Sequence, residues 1–128
     1  MPRFVILAHH TTPSSNQQAG FARLALPVHY DLMLEHGEAL ATWSFEEPPA
    51  RHGQACRLIQ DHRKAYLDYE GEVSGDRGRV ERWDAGTYEG TIGDDRVEAA
   101  FAGGKLAGRW ELVRVEDGDA WELRRAAC

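Results

Sequence analysis

"HYDLMLE", residues 29–35, decides how the chain folds. Read as a strand, it puts His29, Asp31, Met33 and Glu35 on one face and Tyr30, Leu32 and Leu34 on the other, because successive side chains alternate. The second face is an ordinary core face. The first sets two good metal ligands beside a methionine, where a solvated face favours plain charge.

Around this stretch the chain reads as many short strands. "RFVILAH" (3–9) is an apolar run rich in β-formers, and "EALATWSF" (38–45) follows the turn-like His36-Gly37. Further candidates are residues 55–60, 79–84, 87–92, 96–101, 105–115 and 120–126, separated in the second half by Gly/Asp punctuation such as "DAG", "GDD" and "EDGD". Short strands with regular turn signals predict a mostly β protein: a compact closed or partly open barrel of antiparallel strands. Helix is limited to one or two short pieces, with a turn or two expected within residues 49–69, where Gly53 argues against a long one. Residues 11–27 begin polar and end at a proline, and read as a long inserted, mobile loop.

At 128 residues, the chain fits a single domain with its own core. The composition, 42% hydrophobic and 28% charged, is that of a globular protein. No apolar run reaches the length of a membrane span. The apolar start, Phe4 to Ala8, is too short for a secretory signal, so a cytoplasmic location is expected. Cys56 and Cys128 have no CxxC spacing and are expected to be reduced and functionally silent. The net charge of −6 speaks against a nonspecific nucleic-acid binder. It leaves room for an enzyme that meets nucleic acid through a small basic patch.

All six histidines lie in the first half of the chain, which suggests that this half builds a site. His9 and His10 end the first strand, and only one of them can share a face with His29 and Asp31. Two imidazoles and a carboxylate suit Mn²⁺, Fe²⁺ or Zn²⁺ with positions left for substrate. Alone, the H-x-D spacing is more often that of an exposed strand. In "DHRKAYLDYEGE" (61–72), His62 and Tyr66 lie four apart, within reach of each other on a helical turn. Both can donate to a phosphate oxygen, and His62 can serve as general acid or base. Arg63 and Lys64 add local positive charge; alone, the cluster reads first as a surface turn with a half-buried tyrosine. The nucleophile elbow, the P-loop and the dinucleotide glycine motif are all missing.

Together, "RFVILAHH", "HYDLMLE", "TWSF", "DHRKAYLDYEGE", "RWDAGTYEG" and "GGKLAGRWELVR" resemble the 3′-phosphoesterase domain of bacterial ligase D, a protein of end-joining repair. The resemblance covers nearly the whole chain outside the 11–27 loop. It implies a β-barrel with a divalent metal in a surface crater, Mn²⁺ first with Zn²⁺ or Co²⁺ as alternatives. It also implies removal of 3′-terminal ribonucleotides and 3′-phosphates. Carried over, the metal ligands are His9, His29 and Asp31, with His10 as the alternative should the register slip by one. His62 contacts the scissile phosphate and Tyr66 supports it. DNA or RNA 3′ ends are the implied substrates, end-joining repair proteins the implied partners, and no membrane is involved.

The departures are specific. The family keeps an arginine two residues after the aspartate, a phosphate clamp, where this chain has Met33. The family's basic stretch after the tryptophan is the acidic "FEEPP" here, and the 11–27 loop separates the first two ligand histidines. These 128 residues hold no polymerase or ligase domain, so a stand-alone, divergent member is expected. Replacement cations are Arg23, Arg63 and Lys64. If none compensates, the alternative is a noncatalytic barrel that binds a metal or a nucleic-acid end.

Overall fold

The structure is a computed structural model that describes residues 2–10, 27–72, 79–116 and 118–126. Among the described residues, nine strands form one antiparallel sheet: β1 Arg3–His10, β2 Pro27–His36, β3 Ala39–Phe45, β4 Gln54–Arg63, β5 Gly71–Glu72, β6 Arg79–Ile92, β7 Arg96–Gly103, β8 Ala107–Arg114 and β9 Ala120–Arg125. Their order is β1-β2-β3-β4-β9-β8-β7-β6, and β1 pairs again with β6, so eight strands close a barrel while β5 adds to β6. Closure pairs the two terminal strands of that order, β1 and β6, with each other. Among the described residues, no helix is long and apolar enough to cross a membrane.

Strand alternation fills the interior. Phe4 and Ile6 of β1, Leu32 and Leu34 of β2, and Trp43 and Phe45 of β3 meet Leu112, Trp121 and Leu123 from β8 and β9. Trp43 and Trp121 pack edge to face at 5.5 Å, as do Phe4 and Phe101 at 5.0 Å. Each such side chain contributes roughly 1.5–3 kcal/mol by leaving water. Cys56 lies in this core, and burial pushes its thiol up to about 12.

The outer face of β1–β2–β3 carries a second, smaller apolar cluster: Val5, Leu7, Met33, Leu40 and Val80, capped by Leu67. Leu67 belongs to a 3₁₀ turn, Lys64–Leu67, that follows β4 directly. The "HYDLMLE" strand is therefore buried on both faces along its middle, with Met33 only 1% exposed. This patch of covered outer wall is where the site forms.

One sequence expectation holds and one changes. The turn expected within residues 49–69 is the 3₁₀ turn Lys64–Leu67, while residues 54–63 run as strand β4. Residues 79–84 and 87–92 are one continuous strand, β6, rather than two joined by a "DAG" turn. Gly86 does not turn the chain; a Cβ there would collide with the backbone of Ala102 on β7. The glycine permits close strand approach. The 11–27 loop lies outside the described residues except for Pro27, which already starts β2; Cys128 lies outside them too.

Gly86→Ala is expected to destabilise the protein by about 1–3 kcal/mol through overpacking, measurable as a lower midpoint in urea. Cys56 should resist a thiol reagent at pH 8 in the folded protein and react on unfolding, because the thiolate is the reactive form. Rapid native labelling of Cys56 would contradict its placement.

Candidate functional site

Three local irregularities bring the site together. β1 and β2 pair Leu7 with Asp31 and His9 with His29, and then the register shifts so that His10 meets Pro27. His9 and His29 are thus cross-strand neighbours on the outer face, and their rings stack at 4.6 Å and 17°. Between β3 and β4, Trp43 faces Leu58 and Thr42 faces Ile59, but Leu40 faces His62. β4 therefore spends one extra residue between these pairs, a bulge that flips the alternation. Without it His62 would follow Cys56 and Leu58 inward; with it, His62 joins Leu40 on the outer face. A third shift, between Ile6 and Leu7 opposite β6, turns Val80 outward to floor the same region.

The result is a crater of about 470 Å³ lined by His9, Asp31, Met33, His62, Arg63 and Tyr66. Leu7, Val80, Gln60 and Asp61 complete its wall. One donor atom from each of His9, His29 and Asp31 lies within 4.8 Å of the others. His29 Nε2 is 3.4 Å from Asp31 Oδ1, an ion-pair contact rather than a hydrogen bond. Asp31 is 5% exposed, and its Oδ1 accepts no hydrogen bond among the described residues. A buried carboxylate oxygen without a donor is costly. Two imidazoles and that oxygen make a donor set that fits a divalent cation, which would satisfy it. The nearby Asp31 carboxylate raises the pKa of His29 above the ordinary imidazole value, outweighing burial.

His62 and Tyr66 meet edge to face at 5.7 Å, and Tyr66 meets Tyr69 likewise at 5.8 Å. They meet across the end of a strand and a 3₁₀ turn, not on an α-helical turn. His62 Nδ1 lies 3.0 Å from the Gln60 carbonyl oxygen. A carbonyl only accepts, so Nδ1 carries the hydrogen and Nε2 is left to exchange a proton in the crater.

The 3₁₀ turn is clamped from both flanks. Lys64 Nζ lies 3.2 Å from Glu35 Oε2, and Arg3 Nη2 donates to Asp68 Oδ1 at 2.7 Å. The Arg3 backbone N–H also donates to Glu35 Oε1. That bond, with the Lys64 ammonium beside it, holds the Glu35 carboxyl below its ordinary pKa.

Of the residues singled out from sequence, the fold brings together His9, His29, Asp31, Met33, His62, Tyr66 and Arg63. Lys64 is engaged by Glu35, and Arg23 lies outside the described residues. His10, one position past the register shift, is not in the three-donor group. Sequence reasoning missed Gln60 and Asp61, although Asp61 adjoins His62 and could have been flagged by that. Leu7 and Val80 gave no signal, since only strand pairing places them.

The fold and crater define a closed antiparallel barrel that carries a His/His/Asp cluster and a His/Tyr pair on its outer wall. Residues 22–114 match the family described as the DNA ligase D 3′-phosphoesterase domain, and the chain belongs to that family. A relative in Pseudomonas aeruginosa, the multifunctional non-homologous end joining protein LigD, is 32% identical over 100 residues. The alignment spans 69% of this chain and 12% of the relative. The family match begins beyond β1, so His9 reaches the site through strand pairing outside the matched span.

Asp31→Asn should lower the His29 pKa, read by NMR titration of the metal-free protein. The sign follows from the raised value: the contribution to stability is full below the unfolded-state pKa and is lost as pH rises through the folded-state one. An unchanged His29 titration would show that the two groups do not interact.

Proposed function

We propose that the protein is a divalent-metal-dependent phosphoesterase that acts on the 3′ ends of DNA or RNA. The observation that carries this reading is the buried, hydrogen-bond-deficient Asp31 oxygen grouped with His9 and His29, in one crater with His62 and Tyr66. His9, His29 and Asp31 would hold the ion, with Mn²⁺ proposed first and Zn²⁺ or Co²⁺ as alternatives. When bound, the metal would neutralise phosphoryl oxygen charge. End-joining repair proteins are the proposed partners, by analogy with the name of the relative.

The protein's own groups divide the remaining work. His62 Nε2 exchanges a proton with the reacting oxygen, oriented by the hydrogen bond from Nδ1 to Gln60 O. The Tyr66 hydroxyl donates to a phosphoryl oxygen, and Leu67 seats its turn on the barrel. Arg63 offers a guanidinium at the wall, suited to a phosphate.

With Mn²⁺ supplied, His62→Ala should lower cleavage of a 3′-modified primer by roughly 10²–10⁴-fold while retaining metal. Asp31→Asn and His29→Ala should lose metal as well as activity, seen by elemental analysis alongside the assay. If metal-loaded protein leaves both 3′-modified primers and simple phosphodiesters intact, the reading fails. A second reading, a noncatalytic barrel that binds a metal or a nucleic-acid end, is favoured by the buried, uncharged Met33. It predicts binding without turnover and indifference to His62→Ala.

A further inference from the structure

A row of rings leads out of the crater along the 3₁₀ turn. His62 and Tyr66 line the crater and meet at 5.7 Å. Tyr69 follows one ring contact further on, 5.8 Å from Tyr66 and crossing it at 85°. Tyr69 is 37% exposed, and among the described residues no other phenylalanine, tyrosine or tryptophan is exposed. A lone exposed aromatic is ordinary, but this one is held in place. Its chain neighbours are tied to the barrel on both sides. Asp68 Oδ1 accepts from Arg3 Nη2 at 2.7 Å, and Glu70 Oε2 accepts from the Arg82 backbone N–H at 2.9 Å. The backbone of Gly71 also runs alongside, so that a Cβ there would lie 3.6 Å from the Tyr69 hydroxyl oxygen. The result is a preorganised aromatic surface beside the candidate reacting centre.

We propose that Tyr69 is a stacking platform for the nucleobase of the nucleotide whose 3′ phosphate enters the crater. The proposal rests on reading the crater as a site for 3′ ends, and it names what is gripped beyond the phosphate. The charge balance calls for such a contact. The chain carries a net charge of −6. Among the described lining residues Arg63 is the one cation other than histidine, and Lys64 is paired with Glu35 at 3.2 Å. So few phosphate contacts give a weak and salt-sensitive hold on a strand. Stacking needs no charge, and it tolerates any sequence because every base has a π face. A base stands one sugar away from its own 3′ phosphate, the scale of the two ring contacts from His62 to Tyr69. Tyr66 thus serves the phosphate and Tyr69 the base.

The test uses the Mn²⁺-loaded full chain and two DNA primers with a 3′ phosphate, one with a base on the terminal nucleotide and one abasic there. Wild type should cleave the base-bearing primer with kcat/KM about 5- to 100-fold higher, the scale of one stacked base, with the difference in KM. Tyr69→Ala and Tyr69→Leu, the second keeping bulk without a π face, should bring that ratio close to one by weakening the base-bearing primer alone. Tyr69→Trp should preserve it. Fluorescence anisotropy in a His62→Ala background reads the same contact without turnover. There Tyr69→Ala should weaken binding of the base-bearing primer by the same factor at low and high salt. Circular dichroism identifies folded variants, and if neither truncation folds, the wild-type ratio decides alone. Equal wild-type rates on the two primers, or a ratio that survives in a folded truncation, overturn the platform and leave the phosphoesterase reading standing. Equal loss on both primers also overturns it, because that marks Tyr69 as mere support for Tyr66. Base-dependent binding without cleavage overturns the phosphoesterase reading and leaves the platform standing. Neither binding nor cleavage overturns both.

Discussion

The double pairing of β1 is the constraint on which the rest of the molecule depends. Arg3–His10 bonds to Pro27–His36 on one side and to Arg79–Ile92 on the other. That second contact turns a curved sheet into a closed barrel. One strand thereby sends Phe4 and Ile6 into the core and presents Val5, Leu7 and His9 outward. The interior supplies the stability. The outward row supplies the floor of the crater and one member of the donor cluster, so fold and site share a strand.

The site is assembled on rigid elements with local irregularities that re-aim particular side chains. A barrel wall ordinarily offers its outer face to water, and isolated polar groups there stay solvated. Here the 3₁₀ turn Lys64–Leu67 lies over the wall, plugged by Leu67 and held by ion pairs at both flanks. The covered patch is dry enough to bury Asp31 and Met33. Burial is what makes the Asp31 carboxylate chemically demanding.

The clamp also explains why neighbouring basic residues have different fates. Arg63, still on β4, lines the crater, whereas Lys64 begins the turn and reaches Glu35 on β2. A row of positive charges in sequence therefore contributes one cation to the site and one to its scaffolding. Tyr66, between Lys64 and Leu67, is positioned from both sides and meets His62 edge to face.

Much was legible before any coordinates. Alternating apolar residues and Gly/Asp turns are local signals, and they specify a strand-rich protein whose "HYDLMLE" segment buries Tyr30, Leu32 and Leu34 on one face. The grouping of His29 with Asp31 follows from the same two-residue period. What alternation cannot deliver is the place where it breaks. Strict period two would send His62 into the core, and only the bulge opposite Leu40 and Thr42 returns it to the crater. Likewise "DAG" carries turn chemistry, yet Gly86 serves close approach to β7 within one long strand. The sequence by itself determined the residue types and the strand period, because both are properties of neighbours in the chain. Tertiary structure alone decided which histidine joins the cluster, which cation faces the crater and how deeply Met33 is buried. Those depend on register between distant strands, where one extra residue reverses every side chain that follows.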